Sequence, residues 1–241
     1  MKRFLPATIY GLAFGFLEAI VVVYLRAIYY PEGFSFPLRL MNPEFLTIEI
    51  TREFSTIVML SVVGWILGNT LFEKFHFFIF VFAVWDIFYY IGLKIFLNWP
   101  ESLFTWDVLF LIPITWIGPV LAPLICSIGM IIISLISIYF SSKNYLLKFT
   151  LLSKTTISVG IGMILYTFIY DYSKILFENK FYEKLNSLTT DEAFLGLVSS
   201  YIPQKFNWII FFFGCILIAL SYILILYSGW KSKITTDNSL S

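Results

Sequence analysis

Long apolar runs separated by short polar stretches set the pattern of this chain. A helix needs roughly 20 predominantly apolar residues to cross a bilayer. Six segments qualify: residues 5–29, 49–71, 75–97, 119–140, 151–170 and 206–227. They predict an all-α, polytopic helical bundle forming one integral membrane domain over residues 1–241. The first segment has a basic start like a signal peptide. Its apolar run continues to about Tyr30, holds Glu18 and lacks a small-residue cleavage site, so it reads as an uncleaved first span. Gly11 with Gly15, Gly64 with Gly68, and Gly160 with Gly162 supply the small residues that let helices approach in lipid.

Two regions break the pattern. Between spans three and four, Pro113, Pro119 and Pro123 interrupt an apolar run too long for one ordinary span. A short helix around residues 102–111, lying at the outer interface or re-entrant, is expected there, followed by a proline-kinked entry to span four. After span five, Ile175, Leu176, Phe181, Tyr182 and Leu185 recur at helical spacing. Thr189 with Glu192 matches a capping box. Two amphipathic helices resting on the outer surface are expected over residues 171–205.

Composition agrees with a membrane protein. Hydrophobic residues make up 59% and charged residues 13%, with a mean hydropathy of +0.87, whereas soluble domains are about 25% charged. The net charge of +1 offers nothing for nucleic acid. Membrane lipids are the expected partners, with a lipophilic small molecule as ligand, and the oligomeric state stays open. Cys126 and Cys215 lie in apolar runs and read as small core residues. A single histidine, His76, argues against haem ligation, histidine-built di-iron clusters and zinc-protease motifs. No Asp-rich prenyltransferase motif, G-x-S-x-G or P-loop is present.

The basic residues fix an expected orientation. Lys2, Arg3, Lys74, Lys143, Lys148, Lys154, Lys231 and Lys233 fall on one side of a six-span topology. The positive-inside rule then puts both termini in the cytoplasm, in a plasma or inner membrane. In that frame the ionisable residues in and beside the spans cluster in the outer half, and the inner half is nearly all apolar. Asp86 and Glu18 are deepest, and intramembrane carboxylates are functional by default.

Spacing groups these residues further. Glu49, Arg52 and Glu53 share a helix face, and so do Asp86, Tyr89 and Tyr90. Lys94 follows Asp86 at the same eight-residue offset that separates Arg26 from Glu18. One outward-opening pocket is expected, with Asp86, Glu18, Glu53 and Asp107 as candidate catalytic groups. Arg26, Arg52, Tyr89, Tyr90, Lys94 and Trp106 are the candidate substrate contacts. Glu49 and Asp107 also read as helix N-terminal acids. Carboxylates desolvated among aromatics suit acid–base work on a lipid or isoprenoid-like substrate, with Arg or Lys holding a phosphate or carboxylate head group. A divalent cation on the clustered acids is an alternative cofactor. A small proton-coupled transporter and a non-catalytic subunit or assembly factor are the alternative functions. Ion pairing that merely holds the bundle together is the plainer account of Arg26, Arg52, Glu53 and Lys94.

Overall fold

A computed structural model describes residues 2–143, 145, 147, 149–181 and 191–238. Six helices are long and apolar enough to span a membrane: α1 (Phe4–Tyr29), α2 (Pro43–Leu67), α3 (Leu71–Leu97), α4 (Leu121–Ser142), α5 (Leu151–Glu178) and α7 (Trp208–Asn238). The protein is a multi-pass helical membrane protein. A short helix, α6 (Glu192–Ser200), and a hairpin of β1 (Trp106–Phe110) and β2 (Trp116–Pro119) complete the described elements.

Local chemistry sets several boundaries away from those expected. Asn42 caps α2, its side chain accepting from the Glu44 amide at 3.1 Å, with Pro43 in the first turn. The helix therefore starts six residues before the predicted span. Glu49, Arg52 and Glu53 sit in its second and third turns, so Glu49 is not an N-terminal acid. Thr70 caps α3 by accepting from the Glu73 amide at 3.2 Å. Asn98 ends that helix in the left-handed region, at φ 52°.

The short helix expected near residues 102–111 is instead strand β1, so Asp107 is a strand residue and not a helix N-terminal acid. The run Trp-Asp-Val-Leu-Phe suits a strand, and it pairs antiparallel with β2, Asp107 facing Gly118 and Val108 facing Ile117. Ile117 and Asp107 are almost fully buried.

The α5 helix runs on to Glu178 and absorbs Ile175 and Leu176, which were expected in a separate amphipathic helix. In α6 the cap is Asp191, accepting from the Ala193 and Phe194 amides, rather than Thr189. Tyr182, Leu185 and Thr189 lie outside the described residues.

Helix α3 is the centre of the bundle and packs against α1, α2 and α4. Glycines set how close it comes. A Cβ on Gly15 would stand 2.5 Å from the Trp85 carbonyl oxygen, and one on Gly64 would stand 2.7 Å from the Phe78 amide nitrogen. Either would meet backbone, which cannot move aside. Helices α5 and α7 form a second pair around Gly160 and Gly214 and join the rest through β2 and α4. At the end of the bundle near the N-terminus, Phe4, Leu60, Phe77, Phe80, Val81 and Ile138 fill the core. Leu17, Ile66, Leu151 and Ile209 stand exposed on the outside, as lipid-facing positions do.

Candidate functional site

The hairpin end of the bundle differs from the end near the N-terminus. It holds an open cavity of about 670 Å³ lined by α1, the segment 30–41, α2, α3, the hairpin, the C-terminal turns of α5 and α6. Glu18, Glu53, Asp86, Asp107, Arg26, Arg52, Tyr89 and Tyr90 all line it, joined by Glu49. Residues from three helices and a strand, up to 89 positions apart in the chain, thus share one space.

Two arginines organise most of the acids. Arg52, on α2, pairs with Glu18 of α1 and, at 2.7 Å, with Glu49 one turn back on its own helix. Thr56 adds a hydrogen bond to Glu18 Oε2 at 3.2 Å. Arg26, near the end of α1, donates from Nη2 to Asp107 Oδ1 at 3.1 Å. The Arg26 guanidinium carbon lies 3.7 Å from the centre of the Trp99 ring and 4.4 Å from that of Phe34. Its buried Nη1 has no hydrogen-bond partner, and those ring faces are what surround the cation. Tyr90 completes the cluster by donating to Asp107 Oδ2 at 3.2 Å. Burial lifts the Asp107 carboxyl from its ordinary 3.8 to about 6, against the pull of Arg26 and Tyr90 in the other direction.

Asp86 and Glu53 are held differently. Asp86, in the middle of α3, takes one hydrogen bond, from Ser127 Oγ of α4 to Oδ2 at 2.7 Å. Glu53 takes one from the backbone amide of Leu111, past the end of β1, to Oε2 at 2.8 Å. Among the described residues neither forms an ion pair, and each keeps its second oxygen without a hydrogen-bond partner. Both side chains are more than nine-tenths buried. Trp85, on the same wall, is equally buried, and its Nε1 also lacks an acceptor.

Lys94 and Trp106 do not line the cavity. Lys94 Nζ donates to the carbonyls of Asn98 at 3.3 Å and Pro100 at 2.9 Å, closing the C-terminal end of its own helix. Trp106 packs edge-on against Phe206, with ring centres 6.2 Å apart. Ser127, Thr56 and the Leu111 amide went unrecognised in the sequence. Thr56 carried a signal, standing three residues after Glu53 on the same helix face. Ser127 carried none, since an isolated serine in an apolar helix is ordinary.

Among the described residues no group of three or more His, Cys, Asp or Glu side chains is placed to hold a metal ion. No protein-family model, no curated protein and no solved structure matches this chain.

Proposed function

We propose that this protein is an intramembrane enzyme that uses Asp86 and Glu53 for acid–base chemistry on a lipophilic substrate. One observation carries the reading. Two buried carboxylates on the wall of one cavity are each anchored through a single oxygen, and the other oxygen is uncommitted. A general acid or base needs that arrangement: a fixed side chain with one free oxygen for the proton in transit. The Ser127 hydroxyl and the Leu111 amide hold the two carboxyls on different elements. One is thus available to give a proton while the other takes one.

Glu18 and Asp107, tied to Arg52 and Arg26, act in this reading as a charged frame that positions the cavity walls. They do not exchange protons with the substrate. Tyr89 supplies an aromatic wall, and Tyr90 holds Asp107. The positive-inside rule puts the cavity in the extracytoplasmic half of a plasma or inner membrane, so the substrate enters from the outer leaflet.

The test compares lipid extracts from cells lacking the protein with extracts from cells carrying the wild type, Asp86→Asn or Glu53→Gln at matched abundance. General acid–base groups contribute about 10²–10⁴-fold. Each variant is therefore expected to leave the lipid difference between deletion and wild type unrestored. Full restoration by both variants would remove the enzymatic reading. Restored proton-coupled uptake in proteoliposomes, with unchanged lipids, would replace it with transport.

A further inference from the structure

The cavity walls carry five carboxylates, Glu18, Glu49, Glu53, Asp86 and Asp107, against three guanidiniums, Arg26, Arg39 and Arg52. The whole chain is +1, so this lining, at −2 when fully ionised, opposes the sign of the protein around it. The arginines do not stand ready for an anion. Arg52 serves Glu18 and Glu49, and Arg26 serves Asp107 between two aromatic rings. Arg39 is exposed at the mouth, over the Tyr30 ring. The two carboxylates without an ion pair are the deeply buried Asp86 and Glu53. An unpaired charge in a low-dielectric site is costly, and an incoming cation relieves that cost.

We propose that the substrate's polar end is an ammonium group, received by the uncommitted oxygens of Asp86 and Glu53. The aromatic faces of Trp85 and Tyr89, stacked 17° from parallel with centres 6.2 Å apart, line the path to it. Such faces favour cations. A long-chain amino alcohol and the ethanolamine end of a phospholipid both carry such an ammonium group. A phosphate or carboxylate head group with no positive charge is disfavoured in the depth of the cavity, because Arg26 and Arg52 already face carboxylates there and Arg39 stands only at the mouth. The assignment rests on the cavity being the substrate site.

The experiment measures binding to the full chain in lipid nanodiscs. Four probes share one chain length: a long-chain amino alcohol, the matching diol, the matching hydroxy fatty acid and an ethanolamine phospholipid. The amino alcohol is expected to bind at least tenfold more tightly than the diol, with the fatty acid weakest. Comparable binding of the ethanolamine phospholipid identifies a membrane lipid as the source, and its exclusion identifies a free amine; either outcome supports the ammonium assignment. The double variant Asp86→Asn/Glu53→Gln is expected to bring the amino alcohol down to the diol. If that variant does not fold, each single variant is expected to lose part of the preference. Equal binding of diol and amino alcohol by the wild type, or a preference that survives in the variants, overturns the assignment. Loss of lipid turnover in Asp86→Asn without an ammonium preference would retain the acid–base reading and remove only the head group.

Discussion

Each end of this bundle buries carboxylates, and two at the hairpin end, Asp86 and Glu53, are held unlike Glu73 at the other. Near the N-terminus, Glu73 accepts from Arg3 Nη1 at 2.7 Å and the Asn69 amide at 3.0 Å on one oxygen. It accepts from Ser141 Oγ at 3.3 Å on the other. Arg3 also donates to the Leu67 carbonyl at 2.6 Å. Every strong partner is in place, and the cluster ties α1, the α2–α3 turn and α4 together. At the hairpin end, Asp86 and Glu53 have one hydrogen bond each, no ion pair among the described residues, and open space beside them. Glu73 has a partner on each oxygen, as buried polar groups usually do. Asp86 and Glu53 each leave one oxygen without a hydrogen-bond partner. The contrast is what makes Asp86 and Glu53 the candidates for functional charge.

The largest stability effect should come from a change that damages both ends together. Gly15→Leu drives a side chain into the Trp85 carbonyl and pushes α1 off α3. Overpacking costs about 1–3 kcal/mol, and more where backbone must move. The purified variant is expected to show the largest fall in thermal midpoint together with low membrane abundance. Glu73→Gln comes next. It leaves Arg3 without its ion-pair partner, at about 1–3 kcal/mol for a partly buried group, and should lower the midpoint without altering ligand binding at the far end. Ser127→Ala removes the one hydrogen bond to Asp86, for roughly 1 kcal/mol. It should slow turnover more than it destabilises, because Ser127 acts as a positioning residue for Asp86; rescue by Ser127→Thr is expected.

The smallest effect is a pH slope. The Asp107 carboxyl is raised from 3.8 to about 6 by burial. The folded chain therefore holds more protons than the unfolded chain between about pH 4 and 6. Its contribution to stability falls as pH rises through that window and levels off above it. Asp107→Asn is expected to flatten that part of a midpoint-against-pH curve. An unchanged slope would mean that Asp107 is not the group responsible.

The six spans were legible because crossing a bilayer demands length and apolarity, both written locally in the chain. Glu18 and Asp86 were legible for the converse reason, as charges where charge is expensive. Apart from Lys94, the residues that spacing grouped on three helices line one cavity. The hairpin was not legible, because its aromatic, apolar run has no period of its own and its pairing partner lies beyond an intervening proline turn. Glu73 was overlooked as a site of burial because the predicted third span began at Phe75, whereas the Thr70 cap starts the helix at Leu71. The clustering of ionisable groups toward one end of the bundle therefore has this exception, a satisfied one. Lys94 was assigned to the pocket rim by its offset from Asp86, but its reach to the Asn98 and Pro100 carbonyls gives it a capping role.

The central claim is that incomplete satisfaction at the hairpin end marks chemistry. Asp86→Asn and Glu73→Gln, measured side by side for thermal midpoint and for restoration of the lipid profile in cells lacking the protein, test it most directly. The account predicts a near-wild-type midpoint with lost restoration for Asp86→Asn, and a lowered midpoint with restoration in proportion to surviving protein for Glu73→Gln. A destabilised Asp86→Asn that restores the lipid profile in proportion to its abundance would contradict it.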